Sequence, residues 1–123
     1  MSQDLVSDAL NMVMNAKRAG KTELEIPRHS KFLLKVLDIA KKNGYIAYSS
    51  DKDKLKIEIK KLNNCRAIKP RFYVTVDKID KYMRRYLPAR GFGLLIISTN
   101  KGLITEKEAY EKNTGGSLVA YFY

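Results

Sequence analysis

The sequence predicts an α+β protein of two small subdomains, residues 1–64 and 65–123. Two observations predict the first. Apolar residues recur at helical spacing in two stretches, and short alternating runs follow each. The third concerns the second half, where brief apolar runs bounded by Gly and Pro leave room for only a short helix. The N-terminal unit therefore reads α-β-α-β-β. The C-terminal unit reads as mostly antiparallel β with a short helix.

The elements follow in order. Ser2 can cap a helix running to about Ala19, with Leu5, Ala9, Met12, Val13 and Ala16 on its apolar stripe and Gly20 as its stop. Thr22 to Ile26 alternates and reads as a strand ended by Pro27. Ser30 can cap a second helix, Lys31 to Asn43, that buries Leu33, Val36, Leu37 and Ala40 and stops at Gly44. Tyr45 to Tyr48 and Leu55 to Leu62 read as a hairpin around the polar turn Ser49 to Lys54. Two helices would then cover one face of a three-stranded sheet. Asn63 to Lys69 lacks periodicity, so the boundary falls there. Arg71 to Val76 reads as a strand, and Val76 to Arg85 as either a short helix or an irregular turn. Pro88 and Gly91 bar a longer helix. Gly93 to Ser98 is a strand. Thr105 and Glu108 have the spacing of a capping box for a helix from Glu106 to about Lys112. Asn113 to Gly116 ends that helix, and Ser117 to Tyr123 is the last strand.

Composition narrows the function. The net charge is +11, from 24 basic and 13 acidic side chains. The excess is spread over both halves, so it lies on folded surface and points to a polyanionic partner. Cys65 is the single cysteine and His29 the single histidine, so neither an internal disulfide nor a zinc site is expected. Met1 to Gly20 carries Asp4 and Asp8, unlike a signal peptide, and the run Leu94 to Ile97 is too short to span a bilayer. The expected compartment is the cytosol. No nucleophile elbow or phosphate-cradling glycine loop is present, and His29 has no local acid or nucleophile partner. The pattern argues against an enzyme and implies no cofactor.

Two stretches carry binding chemistry. Between Arg66 and Arg90 lie eight basic residues (Arg66, Lys69, Arg71, Lys78, Lys81, Arg84, Arg85, Arg90) against Asp77 and Asp80. Tyr73, Tyr82 and Tyr86 are interleaved with them. Arginine forks suit phosphates and tyrosine rings suit splayed bases. Tyr73 and Tyr82 read as packing residues with the hydroxyl in water, while Tyr86 suits packing and stacking equally. The second stretch is Ser98-Thr99-Asn100-Lys101-Gly102. Two small hydroxyls at the end of a buried strand and a basic turn make a compact donor and acceptor surface. Gly115 and Gly116 allow close backbone approach beside it. Read alone, the same residues also suit an ordinary strand, turn, helix and strand.

Ser98-Thr99-x-Lys101-Gly102, Thr105-x-x-Glu108-Ala109 and Gly115-Gly116-x-Leu118 together resemble the carboxy-terminal signature of the S-eight family of small-subunit ribosomal proteins. Ala67-Ile68-Lys69-Pro70-Arg71-Phe72 and Tyr86-Leu87-Pro88-Ala89-Arg90-x-Phe92-Gly93 resemble its archaeal and eukaryotic branch. Asp4, Asn15, Pro27 and Ser30-Lys31 stand where the family's amino-terminal half places them. The resemblance implies a structural component of the small subunit that binds ribosomal RNA of the central domain and stabilises its fold during assembly. It implies that Ser98, Thr99, Asn100, Lys101 and Gly102 form the main recognition loop, with Gly115 and Gly116 letting backbone approach the RNA. It adds Asn15, Ser30 and Lys31 as sugar and phosphate contacts. The residue reading adds Lys69, Arg71, Arg84, Arg85, Tyr86 and Arg90. Asn100 stands where bacterial members commonly have serine, and asparagine can both donate and accept.

The implied partners are small-subunit ribosomal RNA and neighbouring small-subunit ribosomal proteins. Membrane and DNA are not expected partners, and outside the ribosome the chain is expected to be a monomer. Two rivals keep the same chemistry: a translational repressor that binds its own messenger RNA, and a small RNA-processing enzyme.

Overall fold

A computed structural model describes residues 5–27, 30–51, 54–68, 72–88 and 93–123. The fold is α+β, with the chain divided into two compact units, Met1–Arg66 and Ala67–Tyr123.

In the first unit, α1 (Leu5–Arg18) buries Val6, Ala9, Leu10 and Val13 on one stripe. It ends in a Schellman turn: the Gly20 amide donates to the Lys17 carbonyl at 3.0 Å and the Lys21 amide to the Ala16 carbonyl at 2.9 Å. That turn needs the left-handed backbone Gly20 supplies at φ 80. The next helix, α2 (Lys31–Lys42), starts where the Leu33 amide donates to the Ser30 hydroxyl at 3.1 Å. It buries the expected Leu33, Val36, Leu37 and Ala40.

Strands β1 (Glu23–Ile26), β2 (Ile46–Asp51) and β3 (Lys54–Ile59) form an antiparallel sheet in the order β1-β3-β2. Leu24 and Ile26 stand opposite Ile57 and Leu55, and Ile46 stands opposite Ile59, so one face is apolar. Both helices pack on this unit's strands. The hairpin is tighter than the sequence predicts. Ser49 and Ser50 look like turn residues, yet they pair with Lys56 and Leu55, because cross-strand pairing outweighs weak intrinsic β preference. At its other end β3 stops at Ile59, short of the expected Leu62, which is nonetheless buried. A short strand, β4 (Cys65–Ala67), runs through the expected linker and straddles the division between the units. Burial pushes the Cys65 thiol up to about 12, so it stays a protonated thiol.

In the second unit, β5 (Tyr73–Val74) is shorter than the strand expected over Arg71 to Val76. A 3-10 turn (Val76–Lys78) leads into α3 (Ile79–Tyr86), which settles the ambiguous segment as helix with Ile79 buried beneath it. The apolar run becomes β6 (Leu94–Thr99). A strand absent from the sequence reading follows, β7 (Gly102–Thr105), pairing Thr99 with Gly102 and Ile96 with Thr105. Then come α4 (Glu106–Lys112) and β8 (Gly116–Phe122). β8 pairs with β6 on one side and with β5 on the other. The expected capping box is not formed: Thr105 is the N-cap but makes no side-chain cap bond, since it is already the last residue of β7. The α4 terminus is the Schellman type again, with Asn113 in the left-handed region at φ 50. Leu95, Ile97, Leu118, Ile79 and Ala109 form the core, with Phe72, Tyr82, Tyr86 and Tyr123 packed around it.

Among the described residues no helix is long and apolar enough to cross a membrane, and no group of His, Cys, Asp and Glu could hold a metal ion.

Candidate nucleic-acid interface

The site begins where β6 leaves the core. Leu94 to Ile97 are all buried, while Ser98 and Thr99 are half-buried and Asn100 and Lys101 exposed. The chain therefore passes from apolar anchor to polar tip within four residues, and the tip is held by a rigid strand. The Thr99 hydroxyl closes the turn. It donates to the Gly102 carbonyl at 2.9 Å and accepts from the Lys101 amide at 3.2 Å. Gly102 takes φ 123, which a side chain would resist. Thr99 is therefore first a turn residue. Among the described residues the Ser98 side chain has no hydrogen-bond partner, so its hydroxyl is the more available of the two.

β8 sets the opposite wall. Ser98 stands opposite Ser117, and Tyr73 of β5 stands opposite the same Ser117 from the other side. Gly115 and Gly116 make this crowding possible. A methyl on Gly116 would strike the Ser98 carbonyl oxygen, and one on Gly115 would strike that of Val74. Their close approach is thus to the protein's own backbone, and the backbone they leave uncovered lines the cleft.

The outcome is a polar cleft of ≈ 370 Å³ lined by Tyr73, Ser98, Thr99, Asn100, Lys101, Thr114, Gly115, Gly116 and Ser117. Six of the expected residues meet there, with Gly102 bonded to Thr99 at its edge. Three residues were missed: Tyr73, Thr114 and Ser117. The sequence suggests packing for Tyr73, yet 67 % of its surface is exposed. Its place among basic residues was a signal in the sequence. Its neighbours in space depend on strand pairing, which the sequence did not show.

Glu106 braces the strand that leads to the site. It is 3 % exposed, and its carboxylate accepts from the Leu95 amide at 2.9 Å. Burial raises its pKa, outweighing the Leu95 amide, its own amide and nearby Lys107, which all lower it.

The basic strip is less uniform than the sequence suggests. Arg84 is paired with Asp80 at 2.6 Å one helical turn away, so part of its charge is already answered. The Arg85 guanidinium lies 5.8 Å from the centre of the Tyr86 ring, which itself stacks on Tyr121 at 5.4 Å. Tyr86 is thus built into the second unit's packing, as is Tyr82, 4.9 Å from Phe72. Lys69, Arg71 and Arg90 lie outside the described residues. In the first unit Asn15 and Lys31 are exposed on α1 and α2, and Ser30 serves as the α2 cap.

A polar cleft at a strand end, on a protein of net charge +11, suits the binding of a polyanion. Sequence comparison decides the family. The model of Ribosomal protein S8 matches residues 4–123. The chain belongs to the ribosomal protein S8 family. It is 42 % identical to small ribosomal subunit protein uS8 of Nanoarchaeum equitans over 129 residues, with both chains fully covered. It is 40 % identical to small ribosomal subunit protein uS8 of Archaeoglobus fulgidus, again over the full length of both. In this member of the S8 family Ser98, Thr99 and Lys101 of the first motif share one cleft with Gly115 and Gly116 of the last.

Proposed function

We propose that this protein is a structural, non-enzymatic component of the small ribosomal subunit that binds ribosomal RNA of the central domain and stabilises its fold during assembly. Its working place is the cytoplasm, inside the small subunit, beside neighbouring ribosomal proteins. Membership of the S8 family, with relatives matched over their full length, supports the reading. The single structural observation that carries it is the cleft of the second unit. Short hydroxyls, an asparagine, one lysine and uncovered backbone suit the 2′-hydroxyls and shallow minor groove of A-form RNA, or a splayed nucleotide. A DNA major groove calls instead for long side chains on an exposed helix.

The roles divide accordingly. Ser98 and Asn100 meet sugar or base edges, Lys101 meets phosphate, and Thr99 with Gly102 holds the loop in shape. Gly115 and Gly116 keep the backbone open on the facing side. Lys69, Arg71, Arg84, Arg85 and Arg90 add charge, and Asn15, Ser30 and Lys31 contact sugar and phosphate from the first unit.

A competition assay at fixed salt tests this. The competitors are a small-subunit RNA helix with an irregular internal core, the same helix rebuilt with plain Watson–Crick pairs, and the DNA duplex of equal sequence. The irregular helix should win clearly. Equal binding to all three would reduce the protein to a nonspecific polycation.

A further inference from the structure

Beyond Tyr73 lies a second cleft, of ≈ 430 Å³, lined by Tyr73, Thr75, Val76, Asp77, Asn113 and Gly115. It shares the exposed Tyr73 and Gly115 with the first cleft, so the two clefts adjoin at this tyrosine. Their chemistry differs. The first holds Lys101 and hydroxyls, and the second holds a carboxylate. A carboxylate repels phosphate, so the second cleft is built for a different part of a nucleotide.

The Asp77 carboxylate is fixed in place. The Thr75 hydroxyl donates to it, and that bond holds the carboxyl below the usual carboxylate range. It is therefore an ionised acceptor throughout the neutral range, with acceptor capacity left over after the Thr75 bond. Asn113, at the end of α4, lines the same cleft, and its side-chain amide can donate or accept. Any side chain at Gly115 would run into Val74, so this floor stays open.

We propose that the second cleft receives a splayed nucleobase of the bound RNA, stacked on Tyr73 with its N–H donor edge on the Asp77 carboxylate, guanine being favoured and uracil rejected. Guanine presents two adjacent donors, N1–H and N2–H, beside the O6 acceptor, which suits a cleft lined by both a carboxylate and an amide. Uracil presents one N–H between two carbonyl oxygens, which the carboxylate repels. The inference rests on the RNA-binding reading above and deepens it: the phosphate that Lys101 meets lies on one side of Tyr73 and the splayed base on the Asp77 side.

The test uses the full chain and single-stranded RNA heptamers of uridine carrying a central guanosine, inosine or uridine, with binding followed by fluorescence anisotropy at fixed salt. The guanosine heptamer should bind about tenfold tighter than the all-uridine one, with inosine, which lacks the N2 amine, in between. Asp77→Asn should cut that preference to about twofold or less. Asn113→Gly, which keeps the left-handed backbone, should reduce it too, and thermal melting checks that both variants fold. Lys101→Ala should weaken every heptamer and leave the preference intact. Equal binding of guanosine and uridine heptamers by the parent, or full preference retained in Asp77→Asn, overturns the inference. A parallel arm measures small-subunit RNA against duplex DNA. Preference for that RNA without heptamer discrimination sinks this inference alone, and no preference for RNA over DNA sinks both readings.

Discussion

The carboxylate of Glu106 takes the Leu95 amide at the point where β7 stops pairing with β6. The last rung of that ladder is Ile96 with Thr105, so the next residue pair would be Leu95 with Glu106. At Glu106 the chain turns into α4, and its own backbone can no longer serve the strand. Its side chain supplies the missing acceptor. A buried amide left without one would cost about 1–3 kcal/mol. The same contact fixes α4 against the strand that ends in Ser98 and Thr99.

This arrangement sets a pH dependence. Burial raises the Glu106 pKa in the folded protein above its unfolded value. A raised carboxyl binds its proton more tightly when folded, so its contribution to stability is fully present below the unfolded pKa and is lost as pH rises through the folded pKa. Glu106→Gln keeps an oxygen for the Leu95 amide and removes the buried charge. We expect the variant to gain stability relative to the parent near neutral pH, with the gap closing under mildly acidic conditions. Urea unfolding across that range reads it directly, and a gap that does not change with pH would mean the carboxylate is adequately solvated.

Thr99 and Ser98 should separate in their effects, although adjacent. Thr99→Ala removes both hydrogen bonds that close the Asn100–Lys101 turn, at about 1 kcal/mol each in the folded loop. Thr99→Ser keeps the hydroxyl and should restore most of the loss. Ser98→Ala breaks no such internal bond, so it should leave melting unchanged and weaken RNA binding by about 1 kcal/mol. Melting curves beside affinities for a small-subunit RNA fragment distinguish the two. Equal loss of melting temperature in both variants would contradict the assignment.

The legibility of the sequence was uneven for physical reasons. Helices α1 and α2 are legible because apolar spacing and caps are local: Ser30, Gly20 and Gly44 mark their ends and the α2 stripe matches residue for residue, whereas α3 is too short for its spacing to decide between helix and turn. Strands β4 and β7 are not, because Cys65–Ala67 and Gly102–Thr105 are too short to show a period, and β7 exists only through its hairpin pairing with β6. Dependence on pairing also hid the site's far wall. Ser98 and Lys101 were visible as a motif, but Tyr73 joins them only because β8 places Ser117 between β5 and β6. Glu106 appears in the sequence only as the first residue of a helix, and nothing local tells of its bond to Leu95.

Gly116 should tolerate no side chain, for reasons of space alone. An added methyl would meet the Ser98 carbonyl and the Ile97 side chain from inside the sheet. Gly116→Ala should cost about 1–3 kcal/mol of stability as β6 and β8 are pushed apart. It should weaken RNA binding as well, since Ser98 moves with its carbonyl. Urea midpoints and affinity together test this, and an unaffected midpoint would show that the strands can shift at little cost.

Charge should matter most where it is unanswered. Lys101 stands exposed at the turn tip, whereas Arg84 shares its charge with Asp80. Each phosphate contact adds roughly 0.7–0.9 to the slope of log affinity against log salt. Lys101→Ala should therefore flatten the slope by about one such contact, and Arg84→Ala by less. A larger change at Arg84 would place the main phosphate track along α3.

Among the described residues Tyr73 is the most exposed large ring of the second unit, and two clefts share it. Exposing a ring costs hydrophobic free energy that burial would recover, yet strand pairing with Ser117 holds this one at the surface. Stacking on a base contributes about 1–3 kcal/mol per ring. Tyr73→Ala should therefore lower RNA affinity by about that amount while leaving the melting temperature nearly unchanged, because little of the side chain is buried. Tyr73→Phe keeps the stacking face and should retain most of the affinity. If alanine and phenylalanine weaken binding equally, the hydroxyl and not the ring makes the contact. If neither does, the ring lies outside the interface.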